Sequence, residues 1–319
     1  MNRFVATALL CPLSLLAAGK AVSAADPQCL AVKAETFPGD GEVVRLARQR
    51  GLAAGANFAV FKAPLAVNTD GAPTSYHPDD FRGERLAINR IDNGIEIRKN
   101  HKKASVSERI RVFNQWRSSG SWRVPPGYSI DWTNVIAADA GGKPCIFKTG
   151  EYKGYFGSLT ALKNGVKPAE AGECKFKDQL DQRFIPAIVL RGKNNPLKTY
   201  GGRKGDLVLA VNPKTGVVVA AIIGDTGDGK RIGEGSVALN MKLLGVKNQP
   251  KTYPTVVKQL DTGKAEMIVA VLPGTATYRL KRPYTAENIR DRVEAWAKDR
   301  GYESAQGLSG AMKACAKGL

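Results

Sequence analysis

Val217-Val218-Val219-Ala220-Ala221-Ile222-Ile223-Gly224-Asp225-Thr226-Gly227, followed by Ile232-Gly233-Glu234-Gly235-Ser236, is the stretch on which the reading of this chain turns. The apolar, largely β-branched run 217–223 reads as a strand. Asp225 stands where that strand ends, and Glu234 stands just before a short helix expected over 236–244, with Ser236 as cap and Gly245 as stop. Both acids lie among glycines at element ends, where side chains reach solvent and backbone can approach a ligand closely. The plainer reading is that Asp225 only closes an Asx turn.

Outward from this block, the same grammar recurs. Short apolar runs at 58–61, 187–190, 206–211 and 267–272 are each bounded by turn residues and read as further strands. Asn212-Pro213-Lys214-Thr215-Gly216 reads as the hairpin turn between two of them. The stretch 285–300 carries Ile289, Val293, Trp296 and Ala297 on one stripe and stops at Gly301, the pattern of an amphipathic helix packed on the body. The expected fold is mostly β: a small closed β-barrel of the double-psi type, with a short helix and a C-terminal amphipathic helix outside it. The double-psi form is an analogy with the strand-Gly-Asp-x-Gly-loop element.

The amino terminus has the look of a secretory signal peptide over 1–24. Arg3 precedes an apolar run at 5–18, and Val22-Ser23-Ala24 offers small residues for cleavage. That run is shorter than the ~20 residues a membrane-spanning helix needs, so a secreted or periplasmic chain without membrane insertion is expected. A β-rich domain is expected over 25–280 and a helical extension over 281–319. Beyond Cys11 of the leader, Cys29, Cys145, Cys174 and Cys315 form an even set. In an exported chain this favours disulfides over zinc, as no CxxC is present and only two histidines exist. Cys145 with Cys174 is the expected pair, because they flank one short segment, which leaves Cys29 to tie the termini through Cys315. No metal and no cofactor are expected.

The net charge is +19, and loss of the leader removes only Arg3 and Lys20, leaving 46 bases against 29 acids and +17. Outside the cytoplasm such a field suits anionic cell-wall polymers better than nucleic acid, and it repels polycations. The basic charge is densest at 98–123, with eight bases, the single acid Glu108, and Phe113, Trp116 and Trp122 interleaved. That segment is either a groove for a sugar chain or polyanion, or a solvated helix with its aromatics turned inward, and the second reading is preferred.

Cleaving a glycosidic bond needs one carboxylic acid to protonate the leaving oxygen and one carboxylate to activate water or attack carbon. Asp225 and Glu234, flanking a Gly-rich loop, meet that minimum. Gly224-Asp225-x-Gly227 with Ile232-Gly233-Glu234-x-Ser236-x-Ala238-Leu239 resembles the signature of glycoside hydrolase family 75, the fungal-type chitosanases and their bacterial relatives. The resemblance extends over 57–275. It takes in the run from Val60-Phe61-Lys62-Ala63-Pro64 to Thr69-Asp70-Gly71-Ala72-Pro73, then Tyr76-His77-Pro78, Phe184-Ile185-Pro186, Gly205-Asp206-Leu207 and Val271-Leu272-Pro273-Gly274-Thr275. It implies an inverting hydrolase of β-linked glucosamine-type glycans, with Asp225 as base and Glu234 as acid. Asp70, Tyr76, Asp206 and Asp228 are the expected substrate contacts.

Two departures bear on the substrate. Asp228 stands where family members carry proline, and the pattern cannot be followed from 80 to 134. Chitosan is a polycation, so the +17 field argues for a hydrolase, or a non-catalytic binder, of an anionic wall glycan such as peptidoglycan. An interaction protein needing neither acid is the remaining class. Among single residues, Asp70 and Asp206 also suit turns, His77 beside proline reads as structural, and Ser236 is a cap before it is a nucleophile. Lys230 and Arg231 either hold an anionic substituent or point to water.

Overall fold

Continuous apolar strands need cover on both faces, and the computed structural model provides it. It describes residues 28–36, 43–165, 174, 178–192, 195–227 and 232–319. The leader therefore lies outside the described residues. In chain order the elements are β1 (Cys29–Thr36), β2 (Val43–Gln49), β3 (Phe58–Pro64), β4 (Ala66–Asn68), α1 (Ile91–Gly94), β5 (Glu96–Lys99), β6 (Lys102–Lys103), α2 (Val106–Ser118) and β7 (Tyr128–Asp131). They continue with β8 (Ala187–Arg191), α3 (Pro196–Thr199), β9 (Leu207–Val211), β10 (Val218–Gly227), β11 (Glu234–Ser236), α4 (Val237–Leu244), α5 (Tyr253–Leu260), β12 (Glu266–Leu272), α6 (Ala286–Asp299) and α7 (Ala305–Cys315).

Nine strands form one mixed sheet in the order β1-β2-β3-β12-β9-β10-β8-β11-β4. Alternation divides its residues cleanly. Phe58, Val60, Leu207, Leu209, Ile222, Ala270 and Leu272 face α6 and α7, meeting Ile289, Val293, Trp296, Leu308 and Met312. Their neighbours Ala59, Phe61, Val208, Ala210, Ile223, Val269 and Val271 face the other way, into a cluster with Leu239 and Leu243 of α4. Burying a side chain of Leu or Phe size contributes about 1.5–3 kcal/mol, so each strand contributes to two cores.

The expected closed barrel is overturned: no sheet closes, and β1 and β4 are the edges of an open sheet. The fold is also not mostly β, because helix takes 24% of the described residues and strand 27%. A closed small barrel fills its interior from one face of each strand and leaves the other to solvent. Here helices cover the central strands and both faces are apolar. The sheet still curls. β3 is third in the order and β4 last, yet only Leu65 separates them in sequence, so the far edge is brought back beside the end of β3.

Local expectations hold where the signals were specific. Ser236 Oγ accepts from Leu239 N at the start of α4, and Gly245 ends it at φ 70°. The 212–216 turn joins β9 to β10 with Val211 opposite Val218. Helix α6 buries Ile289, Val293, Trp296 and Ala297, and its cap Thr285 shares a capping box with Asn288. Both expected disulfides are present, Cys29–Cys315 and Cys145–Cys174, with Cα separations of 5.1 and 5.4 Å. The first fastens α7 to β1.

The basic segment builds a second, smaller core. β5, β6 and β7 form a three-stranded sheet. Against it α2 packs Val112, Phe113 and Trp116, with Trp122 at its side. Phe113 is fully buried, Trp116 is 1% exposed and Trp122 is partly buried against them, so the interleaved aromatics are turned inward while most of the cations, Arg109 excepted, stay outside.

Candidate active site

Parallel pairing of β10 with β8 is interrupted between Ile223 and Asp225: Ile223 lies opposite Ile188, while Asp225 lies opposite Val189. Gly224 is the extra residue of a bulge, which bends a strand and re-aims the next side chain. The position tolerates no Cβ, since one built there would lie 2.7 Å from Leu180 Cδ2 and 2.8 Å from Ala187 Cβ. The redirected Asp225 carboxylate is 7% exposed. Its Oδ1 accepts from Ala161 N at 2.9 Å and Thr226 N at 2.8 Å.

Glu234 opens β11, whose Gly235 pairs with Ile188 of β8. Ahead of it, Gly233 holds φ 116°, and a Cβ there would come within 2.3 Å of Pro64 O. Glycine alone lets the chain enter β11 this close to β3. Asp225 and Glu234 thus stand on β10 and β11 with β8 between them. Two strand spacings put those backbones roughly 10 Å apart.

A third carboxyl joins them. β4 runs parallel to β11, with Glu234 opposite Ala66 and Ser236 opposite Asn68, and Asp70 follows Asn68 by two residues. Asn68 links the two: its Oδ1 accepts from Asp70 N at 2.7 Å, and its Nδ2 lies 3.5 Å from Glu234 Oε2. Tyr76, 1% exposed, donates its hydroxyl to Asp70 Oδ1 at 2.7 Å and accepts from Asn89 Nδ2 at 3.0 Å. Gly71, at φ 81°, allows the turn after Asp70, because a Cβ would meet Leu180 O at 2.4 Å.

The electrostatics of this cluster follow from burial of like charges. Burial pushes the Asp225 carboxyl up to about 6; the two amide donors and Lys163 pull down, and the Glu234 charge pushes up. Asp70 is pushed up to about 7, first by burial and then by the charges of Asp225 and Glu234, with the Tyr76 bond opposing. Burial also raises Glu234 against the contact from Asn68. The Tyr76 hydroxyl is held well above its ordinary range by burial and by Asp70. The cation that acts on Asp225, Lys163, donates to Gln179 Oε1 at 2.7 Å and is lowered by burial.

Of the residues singled out in the sequence, the structure brings Asp70, Tyr76, Asp225 and Glu234 together. Asp206 sits beside Ile223, but its fully buried carboxylate accepts from Arg203 N and Ala276 N at 2.8 and 2.7 Å, which makes it a clamp between two turns. Asp228, Lys230 and Arg231 lie outside the described residues. His77 packs edge-on against Tyr155 at 4.8 Å and accepts from Asp79 N, a structural placement. Ser236 is the helix cap and also donates to Ile185 O at 3.0 Å. Sequence reasoning passed over Asn68, Ala161 and Lys163. The first had a signal, an Asn two residues before Asp70 at the end of a short strand. The other two come from a distant loop with none. Among the described residues no group of three His, Cys, Asp or Glu side chains is placed to hold a metal ion.

No protein-family model matches this chain, and no curated protein does.

Proposed function

We propose that this chain is a glycoside hydrolase that works by inversion, with Asp225 as general base and Glu234 as general acid. One observation carries the reading: a buried carboxyl on β10 and a half-buried one on β11, held apart by β8 and aimed by a bulge and a positive-φ glycine. Inversion wants carboxyls ~6.5–9.5 Å apart so that a water fits between base and sugar, and a backbone spacing of roughly 10 Å suits that. The donors support the division of roles. Two backbone amides on Asp225 Oδ1 favour its charged form, while Glu234 has only the long contact from Asn68.

In the reaction Asp225 takes a proton from water as its oxygen bonds the anomeric carbon. The bond from that carbon to the leaving oxygen breaks, and Glu234 supplies the proton that oxygen needs. The motif likeness makes chitosan the first substrate; the +19 charge of the full chain favours an anionic wall glycan as the second. Two disulfides support action outside the cytoplasm after removal of the leader.

The test incubates purified protein with chitosan and, separately, with peptidoglycan, and follows new reducing ends by mass and the first-formed anomer by proton NMR. The expected product from a β-linked glycan is the α-anomer. A β-anomer would replace inversion with retention, and no cleavage of either polymer would remove the assignment.

A further inference from the structure

A cavity of ≈ 500 Å³ opens where the 80–90 loop, the start of α2 and the start of α5 meet, and none of its lining residues belongs to the acid cluster. That volume falls within the range of ligand sites, about 300–1,000 Å³. Its walls are held by the backbone. The Asp80 carboxylate accepts from the amides of Glu84, Arg85, Leu86 and Ala87 at 3.0, 2.9, 2.6 and 3.1 Å, which fixes the loop in one shape. Tyr253 N, at the start of α5, donates to Gly83 O at 2.7 Å and to Ala87 O at 3.0 Å, so helix and loop are tied together. Gly83, at φ 67°, permits the close approach, since a Cβ there would lie 2.7 Å from Tyr253 Cβ. Phe81 meets Phe113 of α2 edge-on at 5.4 Å, which anchors it to the second core. Arg90 is bonded to Asp92 at 2.6 Å and lies 6.0 Å from the centre of the Tyr253 ring.

The lining has two chemistries. Phe81, Tyr253 and Val106, the last 47% exposed, give it apolar and aromatic surface. Arg82, Arg90 and Lys258 bring three cations against a single acid, Glu84. The lining is therefore net positive even with Glu84 counted. Arg82 meets that acid only at 3.9 Å, with both side chains largely exposed.

We propose that this cavity is a second glycan-binding site, one that takes a sugar ring bearing a carboxylate. Tyr253 and Phe81 offer the ring an aromatic surface, and the exposed Arg82 and Lys258 offer its carboxylate two cations. A bare anion would leave the apolar walls in water, and a neutral sugar would leave the cations without a counter-charge. The choice of a sugar over an acidic peptide rests on the glycosidase reading; the cavity itself does not. Asn89 joins the cavity to the acid cluster. Its Nδ2 donates to the Tyr76 hydroxyl at 3.0 Å, and its Oδ1 accepts from Arg90 N at 2.9 Å. Both sites thus share one loop, and a polymer chain held in the cavity raises the local concentration of its other units at the acids.

The test titrates the whole mature chain, carrying Glu234→Gln so that no probe is consumed. The probes are the disaccharide of N-acetylglucosamine and N-acetylmuramic acid and, separately, diacetylchitobiose, its neutral counterpart. Amide proton–nitrogen NMR spectra place each contact. The acidic disaccharide should shift amides within 82–90 and 255–258. It should bind at least about fivefold more tightly than the neutral one, the effect of one or two exposed charge pairs. Arg82→Gln with Lys258→Gln should abolish that preference while the melting temperature holds, as both side chains are exposed. Equal affinity for the two sugars, shifts confined to the residues around Asp70 and Asp225, or a preference that survives the double variant would each overturn the proposal. Tighter binding of inorganic phosphate, or of a tri-glutamate peptide, at the same amides would overturn it too, making the cavity a bare-anion or a peptide site. The glycosidase reading fails separately, through absence of cleavage, and leaves these shifts standing.

Discussion

Two carboxylates from different parts of the molecule, Asp92 in the α1–α2 corner and Asp225 at the end of β10, are buried to a similar degree and treated in opposite ways. Asp92 is 3% exposed on its side chain and holds two arginines, Arg90 with a bond of 2.6 Å and Arg109 at 3.2 Å. Asp225 instead accepts two backbone amides; its neighbours include the acids Asp70 and Glu234, and burial lifts it to about 6. A satisfied buried charge holds structure together, whereas buried like charges raise one another's proton affinity and supply acid–base chemistry. The basic segment contributes Arg109 to the first kind of site. The glycine-flanked acids built the second.

The largest expected effect breaks the structural member of the comparison. Asp92→Ala leaves Arg109, 8% exposed as a residue, without its carboxylate. Removing one partner of a buried pair costs about 3–5 kcal/mol. Chemical denaturation should show a loss of that size, with turnover per folded molecule little changed. A loss under 1 kcal/mol would mean that the corner is held by the packing of Phe113 and Trp116, and the contrast with Asp225 would lapse.

Next comes the functional member. Asp225→Asn and Glu234→Gln should each lower turnover at least about a hundredfold, the contribution a positioned acid or base typically makes. Their melting temperatures should hold or rise, because an amide carries no buried charge to desolvate. Retained turnover in either variant would end the assignment of the pair.

What the sequence made legible divides along similar lines. The bulge at Gly224 and the close entry at Gly233 are local backbone facts, visible as glycines beside acids, so the pair could be singled out from the residues, while its acid–base roles came from resemblance. Asp70 and Tyr76 reach that pair only through the parallel pairing of β4 with β11, across more than 160 residues of chain. Their place came from resemblance, and the link through Asn68 went unseen. The strands were legible as apolar runs, but not their open order. Continuous apolarity in β9 and β12 is the mark of strands covered on both faces, and the barrel reading left one face uncovered. Part of the cover was itself hard to see. α7 contains Gly307, Ser309 and Gly310, poor helix formers; it stands on the burial of Leu308 and Met312 and on the disulfide at Cys315. α2, by contrast, was legible as a helix with its aromatics turned inward, and Val112, Phe113 and Trp116 are buried there.

A smaller effect sharpens the comparison through pH. Asp225 is raised above its unfolded value near 3.8 to about 6, so the folded chain binds more protons than the unfolded one between those values. Stability from this group is then fully present below about pH 4 and is lost as pH rises through 6. The loss is on the order of 2 kcal/mol, given one pKa unit per 1.4 kcal/mol and sharing among coupled groups. Groups lowered by folding, such as Asp80 with its four backbone donors, act in the opposite sense and tilt the wild-type curve. The difference between wild type and Asp225→Asn isolates the site. It should widen in favour of the variant from pH 4 to 7, measured by denaturant midpoints at each pH. A flat difference would place Asp225 with Asp92 as a satisfied charge.

The smallest effect concerns the cations that α2 and its hairpin leave outside. Lys102 and Lys103 are exposed on β6, whereas Arg109 is buried against Asp92 and Arg117 is bonded to Asp79. Only the first two are free to meet a ligand through charge alone. Lys102→Gln with Lys103→Gln should change stability by less than about 0.5 kcal/mol, as surface substitutions away from special features do. If the glycan is anionic, the same variant should bind it more weakly at low salt. Its affinity should also fall less steeply as salt rises, because attraction between exposed charges is screened over a Debye length of ~10 Å at 0.1 M. Chitosan should show the reverse, with a modest gain at low salt from the reduced field. Binding isotherms at several ionic strengths, wild type beside the double variant, read both slopes. Identical slopes for both polymers would mean that the surface charge does not choose the substrate. Discrimination would then belong elsewhere, first to the acid cluster, where Asp70, Asp225 and Glu234 gather carboxyls that an approaching cation would meet.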